Sequence, residues 1–189
     1  MRKAAFLDRD GVINEDKGYV YRWQDFKFIP GTINSLKRLK ELGYALVIVT
    51  NQSGLARGYY TEREFHYLNA KINQYLIKNG VVLDKIYYCP HHPKGHVRKF
   101  SINCECRKPA PGMILRAKQE LDLCLQGSIL FGDKCSDGQA AQAAGVGRAY
   151  LIGPDASNCS SHTEVFTRKF ETLESCVEQI FSKPKLKDL

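Results

Sequence analysis

Short apolar stretches of strand length alternate along this chain with segments whose apolar residues recur at helical spacing. The predicted strands are residues 4–7, 44–49, 86–88, 128–131 and 148–152. The predicted helices are residues 33–42, 61–80, 111–121, 139–144 and 173–181. Strands that alternate with helices form a parallel sheet that is covered by helices on both faces. We therefore predict an α/β, Rossmann-like fold.

The length of the chain sets its domain organisation. With 189 residues, it can bury one proper core but is short for two domains. We expect one domain over residues 1–189, with a core at about 4–153 and a loose stretch at 153–161. A last helix and a flexible, lysine-rich tail are expected over about 173–189.

Charge and hydropathy narrow the class of partner. Lys and Arg number 28 against 20 Asp and Glu, a formal charge of +8. This surplus is spread along the chain, which favours a small anionic substrate or solubility over a nucleic-acid partner. The sequence shows neither an apolar run long enough for a bilayer nor the pattern of a signal peptide, so we expect a cytoplasmic protein that does not bind membranes.

Two carboxylates, Asp8 and Asp10, follow the first predicted strand, and Gly11 then allows a sharp turn. Asp8 is a candidate covalent nucleophile toward phosphorus. Asp10 is a candidate acid and base that protonates the leaving oxygen and then activates water. Mg²⁺ is typically bound by one or two protein carboxylates with water and substrate phosphate. Asp133, after the fourth predicted strand, would complete such a site.

Other segments carry groups that suit a phosphoryl group. Thr50 begins a polar segment after the second strand, where its hydroxyl and successive N–H groups form an anion cradle. Lys108 can neutralise phosphoryl charge, and Arg107 suits bidentate binding of a second oxyanion. Asp137 is expected to orient Lys134 or a metal-bound water. Because strand ends meet at one edge of a parallel sheet, we expect these groups in one site.

The chain has seven cysteines, and three of them lie between the third strand and Lys108. Cys89 and a histidine begin a loop that Cys104 and Cys106 close; two pairs of soft ligands suit a tetrahedral structural Zn²⁺. The spacing argues for metal rather than disulfides. Unrelated cysteines are the alternative, and residue chemistry does not choose between His91 and His92. A metal here would hold the basic pair after Cys106 in position.

Four motifs occur in order: the Asp-x-Asp at 8–10, Thr50, Lys108 and Gly-Asp-x-x-x-Asp at 132–137. Together they resemble the haloacid dehalogenase superfamily of phosphatases over residues 4–153. The segments LDRDGVIN, TNQSG, YYCPHHP and CECRKPAPGM are similar to the D-glycero-D-manno-heptose 1,7-bisphosphate 7-phosphatase family. The resemblance implies removal of the 7-phosphate through an aspartyl-phosphate, in nucleotide-activated heptose and lipopolysaccharide core biosynthesis.

The resemblance also implies a role for individual residues. The catalytic residues are then Asp8, Asp10, Thr50 and Lys108. Substrate contacts fall on Asp16, Tyr19, Asn51, Gln52, Ser53, Arg107 and Lys134. Catalytic Mg²⁺ falls to Asp8, Asp10 (through its carbonyl) and Asp133. Structural Zn²⁺ falls to Cys89, His91, Cys104 and Cys106, which favours His91 over His92.

Only about 40 residues separate Asp10 from Thr50, and the interval from Thr50 to Lys108 holds a helix, a strand and the zinc loop. Neither leaves room for a large cap domain, so selectivity should depend on the loop at 16–21 and on the zinc loop. Superfamily habit favours a monomer. The alternatives are a histidinol-phosphate phosphatase, a nucleic-acid 3′-phosphatase and, in a different class, a non-catalytic zinc-binding adaptor.

Overall fold

The computed structural model describes residues 1–153 and 165–182, which contain a six-stranded sheet with all neighbouring strands parallel. The strands are β1 (Ala4–Leu7), β2 (Ala45–Asn51), β3 (Lys85–Cys89), β4 (Ile129–Gly132), β5 (Arg148–Ile152) and β6 (Arg168–Phe170). Their order across the sheet is β3-β2-β1-β4-β5-β6. The predicted α/β fold with a central parallel sheet is confirmed.

Within residues 1–153 and 165–182, six α-helices connect and cover these strands. They are α1 (Thr32–Glu41), α2 (Gly54–Arg57), α3 (Glu62–Lys78), α4 (Gly112–Leu121), α5 (Cys135–Ala144) and α6 (Leu173–Ile180). Two short 3₁₀ helices lie at Trp23–Asp25 and Arg98–Phe100. Within the described residues none of these helices is long and apolar enough to cross a membrane.

Strand side chains alternate between two cores, one on each face of the sheet. Leu7 and Ile48 point into the core built with α1, α3 and α6. Phe6 and Val47 point into the opposite core, built with α4 and α5. All four side chains are fully buried. Each such side chain contributes about 1.5–3 kcal/mol of transfer free energy, which makes the register of the central strands costly to shift.

The predicted helix boundaries hold where capping chemistry is present. Thr61 and Glu64 form the expected capping box of α3: the Thr61 N–H donates to Glu64 Oε2 at 2.8 Å, and the Glu64 N–H donates to Thr61 Oγ1 at 3.3 Å. α5 ends at Gly145, which has a positive φ of 79°. Local sequence chemistry therefore accounts for these two helix ends.

Three elements differ from the prediction. β6 was not predicted because Arg168 and Lys169 are exposed and only Phe170 is buried, so a three-residue edge strand shows no apolar pattern. α2 is a single turn, too short for periodicity. α5 begins at Cys135 rather than at residue 139, because Asp137 Oδ2 accepts a hydrogen bond from the Lys134 N–H at 3.0 Å and caps an earlier turn.

The expectation that cysteine spacing favours metal over disulfides concerned Cys89, Cys104 and Cys106, and all three are free cysteines in the structure. The predicted loose stretch beyond Gly153 and the lysine-rich tail at 183–189 lie outside the described residues.

Candidate active site

The site lies at the point where the strand order reverses. β1 is flanked by β2 on one side and β4 on the other, which leaves a crevice at the carboxyl ends. Asp8 follows β1, Thr50 lies at the end of β2 and Asp133 follows β4. A cavity of about 320 Å³ opens at this edge. Its lining residues are Asp8, Asp10, Asp16, Gly18, Tyr19, Asn51, Gln52, Ser53, Tyr60, Lys108, Lys134, Ser136 and Asp137.

Lys108 is the buried cation at the floor of the cavity. Its ammonium donates to Asp8 Oδ1 at 2.9 Å and to the Val49 carbonyl at 2.7 Å, and it forms an ion pair with Asp137. Burial by itself lowers the pKa of Lys108, but the charges of Asp137 and Asp8 outweigh burial and raise it. Lys108 is therefore protonated at neutral pH, and it holds the Asp8 carboxylate in one orientation.

Three carboxylates crowd together beside this lysine. Oxygens of Asp8, Asp133 and Asp137 lie within 4.8 Å of one another. Asp133 Oδ1 is buried and has no hydrogen-bond partner among the described residues. Burial, and then the charge of Asp8, raise the pKa of Asp133 to about 8. An unpaired oxygen inside an acidic cluster is the environment of a hard cation, so the donor set fits a divalent metal.

Gly11 permits the close approach of β1 and β4 at this cluster. Its φ is +89°, and a Cβ on it would lie 2.4 Å from Asp133 Oδ2. Any other residue would displace that carboxylate or strain the backbone. The requirement for glycine predicted after Asp10 therefore has a second cause, which is space for Asp133.

Asp10 lines the cavity, but its carboxylate is not part of the three-carboxylate cluster. Its Oδ2 accepts a hydrogen bond from Gln52 Nε2 at 3.0 Å, and the same amide donates to Thr50 Oγ1 at 2.9 Å. Tyr60 donates its hydroxyl to Gln52 Oε1. Gln52, predicted as a substrate contact, thus connects Asp10 with Thr50 inside the protein.

The predicted substrate loop at 16–19 borders the cavity, and Lys134 connects this loop to Asp133. Lys134 donates to Asp16 Oδ2 at 3.2 Å and lies 3.3 Å from Asp133 Oδ2. Burial alone raises the pKa of Asp16, but the Gly18 N–H and Lys134 lower it overall. Tyr19 packs edge-on against Tyr59, with ring centroids 4.6 Å apart. The loop therefore forms one wall of the site.

Two predicted substrate contacts, Asn51 and Arg107, form hydrogen bonds within the protein, and of the two only Asn51 lines the cavity. The Asn51 amide accepts from the Lys108 N–H at 3.1 Å and donates to the Lys108 carbonyl at 3.0 Å, which fixes the backbone that carries the lysine. Arg107 Nη1 donates to the His91 carbonyl at 3.2 Å, and Arg107 does not line the cavity. Ser53 does line it.

Sequence reasoning missed two contributors. Tyr60 lies just before the α3 capping box and gives no sign in the sequence that its hydroxyl is buried against Gln52. Arg9, for which the sequence predicted no role, is fully buried and donates to Asp10 at 2.9 Å. A charged residue inside an Asp-x-Asp motif at the end of a buried strand was the available signal.

Beside the cavity, the loop at 89–106 brings together the four predicted soft ligands. Cys106 Sγ lies 3.3 Å from the sulfurs of both Cys89 and Cys104, and His91 Nδ1 lies 3.4 Å from Cys106 Sγ. A tetrahedral zinc with bonds of about 2.3 Å would hold its sulfurs about 3.8 Å apart. The cluster is close to that size, and it could hold a metal.

The two histidines of this loop are now distinguished. His91 directs Nδ1 into the cluster, whereas His92 Nδ1 accepts a hydrogen bond from the Lys94 N–H at 3.1 Å. His92 Nε2 lies 3.5 Å from Arg57. The structure thus favours His91 as the ligand, as the resemblance implied.

Comparisons with known proteins agree with this geometry. The family model described as polynucleotide kinase 3 phosphatase matches residues 3–145. The chain is 52% identical over 149 residues to D-glycero-beta-D-manno-heptose-1,7-bisphosphate 7-phosphatase of Yersinia pestis, covering 79% of each chain. It is 49% identical over 163 residues to the protein of the same name of Escherichia coli K12, covering 83% of this chain and 85% of that one.

Solved structures show the same fold. D,D-heptose 1,7-bisphosphate phosphatase from B. bronchiseptica, complexed with magnesium and phosphate, superposes with a TM-score of 0.81 at 33% identity, covering 94% of this chain and 97% of that one. A putative HAD-like phosphatase from Mesorhizobium loti gives 0.81 at 31% identity, covering 97% and 90%. The chain therefore belongs to the D-glycero-beta-D-manno-heptose-1,7-bisphosphate 7-phosphatase family of HAD-like phosphatases.

Proposed function

We propose that this chain hydrolyses a sugar phosphate through a covalent phosphoryl group on Asp8. The observation that carries the proposal is the buried contact of Lys108 with Asp8 and Asp137 at the floor of a cavity that Asp10 also lines. Lys108 fixes the nucleophile and offsets phosphoryl charge. Asp10 lines the same cavity, and we assign it the protonation of the leaving oxygen.

The two half-reactions use the same groups. A carboxylate oxygen of Asp8 attacks phosphorus, the bond from phosphorus to the sugar oxygen breaks, and that oxygen takes a proton from Asp10. Asp10, now ionised, removes a proton from water as the water attacks the phosphoryl group, which releases phosphate and restores Asp8. Gln52 Nε2 donates to both Thr50 Oγ1 and Asp10 Oδ2, and we propose that the Thr50 hydroxyl contacts the phosphoryl oxygens, although Thr50 does not itself line the cavity.

Mg²⁺ is the cation that we propose for the carboxylate cluster. Asp8 and Asp133 would hold it, with the Asp10 carbonyl as a further ligand, and the unpaired Asp133 Oδ1 supports this choice. Bound there, it supplies neutralisation of charge on the transferring phosphoryl group. Asp137 lies in the same cluster but forms an ion pair with Lys108, so we assign it to the lysine rather than to the metal.

For the cluster of Cys89, His91, Cys104 and Cys106 we propose a structural Zn²⁺. Four protein ligands fill a tetrahedral site and leave no open position for substrate. Arg107, which follows Cys106, reaches back to the His91 carbonyl, so an ion would also order the segment that leads to Lys108.

The substrate that we propose is D-glycero-β-D-manno-heptose 1,7-bisphosphate, with release of the 7-phosphate, a step in nucleotide-activated heptose and lipopolysaccharide core synthesis. Relatives about 50% identical carry that name. The cavity of about 320 Å³ is at the small end for ligand pockets, and Lys108 and Lys134 line it, as a compact anionic substrate requires. We propose Asp16, Tyr19, Lys134 and Ser53 as direct contacts. Arg107 would need to leave the His91 carbonyl to reach substrate.

The test compares phosphate release, with Mg²⁺ present, from the β and α anomers of the heptose bisphosphate, from histidinol phosphate and from a 3′-phosphorylated oligonucleotide. A preference of tenfold or more in kcat/KM for the β anomer, on the order of 1.4 kcal/mol, is the expected result. Equal or faster turnover of histidinol phosphate would overturn the substrate and leave the Asp8 chemistry in place.

A nucleic-acid 3′-phosphatase is the second candidate, because the matching family model carries the polynucleotide name and the chain has a net charge of +8. Faster release from the oligonucleotide than from any sugar phosphate would favour it. A non-catalytic adaptor predicts no release from any of the four. The single domain, the monomeric state and the cytoplasmic location stay predictions, for which sedimentation and cell fractionation are the checks.

A further inference from the structure

Arg9 is a fully buried cation that the proposed mechanism leaves without a role. Its Nη2 donates to both oxygens of Asp10, at 2.9 Å each, and also to the Val20 carbonyl at 2.8 Å. Its guanidinium carbon lies 6.0 Å from the centre of the Phe65 ring. A buried guanidinium loses much hydration free energy. The hydrogen bonds from Arg9 to the Asp10 carboxylate offset part of this loss.

Asn14 contacts the same carboxylate from another direction. Its Nδ2 donates to Asp10 Oδ1 at 3.0 Å and to the Glu15 carbonyl at 2.9 Å. Asn14 is fully buried, and its Oδ1 has no hydrogen-bond partner among the described residues. The Asp10 carboxylate is therefore bound through side chains to the carbonyls of Glu15 and Val20.

Those two carbonyls flank the substrate loop. Glu15 immediately precedes the loop at 16–19, and Val20 immediately follows it, while Asp16, Gly18 and Tyr19 line the cavity. Both ends of the loop are thus connected to the Asp10 carboxylate, the first end through Asn14 and the second through Arg9. A change in the position of the loop would therefore reorient Asp10, and a change in the orientation of Asp10 would shift the loop.

We propose that Arg9, with Asn14, is a positioning residue that couples the substrate loop to the orientation of Asp10. The proton on Asp10 is delivered to the leaving oxygen only when the 16–19 loop is seated, since the loop and the carboxylate share the same donors. This inference rests on the proposed role of Asp10 and adds to it the means by which a site with no large cap senses its substrate.

The experiment uses leaving groups that differ in their need for a proton. kcat/KM reports the transfer of phosphoryl to Asp8, in which a sugar oxygen must be protonated while p-nitrophenolate leaves readily as an anion. Arg9→Lys keeps the charge but loses the planar guanidinium, whose Nε also donates to Asp10 Oδ1 at 3.3 Å, so it should hold the carboxylate less firmly in one orientation. We expect kcat/KM to fall about 30-fold on heptose bisphosphate and less than about 5-fold on p-nitrophenyl phosphate.

Two further variants make the result decisive. Arg22→Lys is the same change on an exposed arginine near the loop and should alter neither value. Asn14→Ala removes the second connection together with a buried unpaired oxygen, so it should fold and show the same selective loss at smaller size. If Arg9→Lys fails to give a cooperative thermal transition, Asn14→Ala decides.

Equal losses on both phosphates, or no loss, in folded variants overturn the coupling and leave Arg9 with a purely structural role. Asp10→Asn separates this from the proposed function: it should lose far more activity on the sugar phosphate than on the aryl ester. Without that selectivity, the acid role of Asp10 fails first and the inference fails with it. If heptose is the wrong sugar, glycerol phosphate serves as the alkyl ester and the ratio still tests Arg9.

Discussion

The carboxylate–lysine centre consists of Asp8, Lys108, Asp133 and Asp137, and the cysteine–histidine cluster consists of Cys89, His91, Cys104 and Cys106. The two sites are assembled from the sequence in opposite ways. The centre joins distant segments: Asp8 and Lys108, which are in direct contact, are 100 residues apart in sequence. The cluster comes from one loop, residues 89–106. In the centre, lysines offset the acidic charges, and the sheet holds the strand ends in place. In the cluster, three thiols and an imidazole contact one another.

This difference indicates which of the two sites needs a bound metal to keep its structure. Ion pairs and strand ends can keep the carboxylate–lysine centre in shape whether or not a cation is bound. Closely packed thiols must lose protons to become ligands, and their charges then require a cation. We therefore expect removal of Mg²⁺ from the carboxylate–lysine centre to lower the rate of catalysis. Removal of Zn²⁺ from the cysteine–histidine cluster should instead lower the stability of the protein.

Asp8→Asn should give the largest effect on rate and one of the smallest on stability. The amide keeps the shape of the carboxylate but is not a nucleophile, so kcat should fall by at least about 10³-fold. The Asn oxygen can still accept from Lys108, and the melting temperature should move little. Asp25→Asn, an exposed acid, is the matched control for kinetics and thermal unfolding. A loss of activity below tenfold would remove Asp8 from the mechanism.

Cys106→Ser should reverse that pattern. Loss of one thiolate from a four-ligand site weakens the ion that orders the loop, and a destabilisation of at least about 3 kcal/mol would lower the melting temperature by about 6–12 °C. Metal analysis should show the bound zinc lost. Cys124→Ser, a free cysteine outside the cluster, should keep both. A zinc-free Cys106 variant with normal melting and turnover would contradict the contrast between the two sites.

The sequence predicted the residues of the carboxylate–lysine centre more fully than those of the cysteine–histidine cluster. The carboxylates after β1 and β4 were found because a buried strand that ends in acidic residues is a local pattern, and a parallel sheet brings such ends together. The cysteines of the cluster were predicted as metal ligands from their residue type, whereas the choice of His91 over His92 came from family resemblance. The orientation of Nδ1 depends on loop geometry and is visible only in three dimensions.

Tertiary contacts account for what sequence could not supply. The resemblance implied a substrate contact for Asn51, and Asn51 lines the cavity; what the sequence did not show is that its amide also fixes the backbone of Lys108, 57 positions away. Asp137 was expected to orient Lys134 or a water, and it forms an ion pair with Lys108. β6 has only Phe170 buried, and no periodicity can arise from one residue.

Gly11→Ala tests how tightly the centre is packed, and Gly43→Ala, away from the cavity, is its matched control. Both glycines have a positive φ, +89° and +81°, but a Cβ at Gly43 meets nothing within 4 Å. Backbone strain of about 1 kcal/mol should therefore be common to both variants. Only Gly11→Ala should displace Asp133, so we expect an additional loss of tenfold or more in kcat, on the order of 1.4 kcal/mol in barrier. Equal kcat values for the two variants would show that the Asp133 carboxylate can move without affecting catalysis.

The smallest effect is a pH dependence carried by Asp133. Burial and the charge of Asp8 raise its pKa to about 8, far above the ordinary carboxyl value of about 3.9. The folded state therefore holds a proton that the unfolded state has lost, so its contribution to stability is full below about pH 4 and disappears as pH rises through about 8. Mg²⁺ must displace that proton, and its apparent affinity should rise with pH by at most about tenfold per unit until about pH 8.

Calorimetric titration of Mg²⁺ from about pH 6 to about pH 9 measures this slope. The Asp133→Asn protein has no proton to lose at this position, so any binding that remains should lose the slope. Zinc retention should not follow the same curve, because the thiol cluster does not include Asp133. A Mg²⁺ affinity that is constant over this range would mean that the carboxylate is already ionised without metal. The lysines would then offset the acidic cluster by themselves, and the contrast between the two sites would be sharper than we propose.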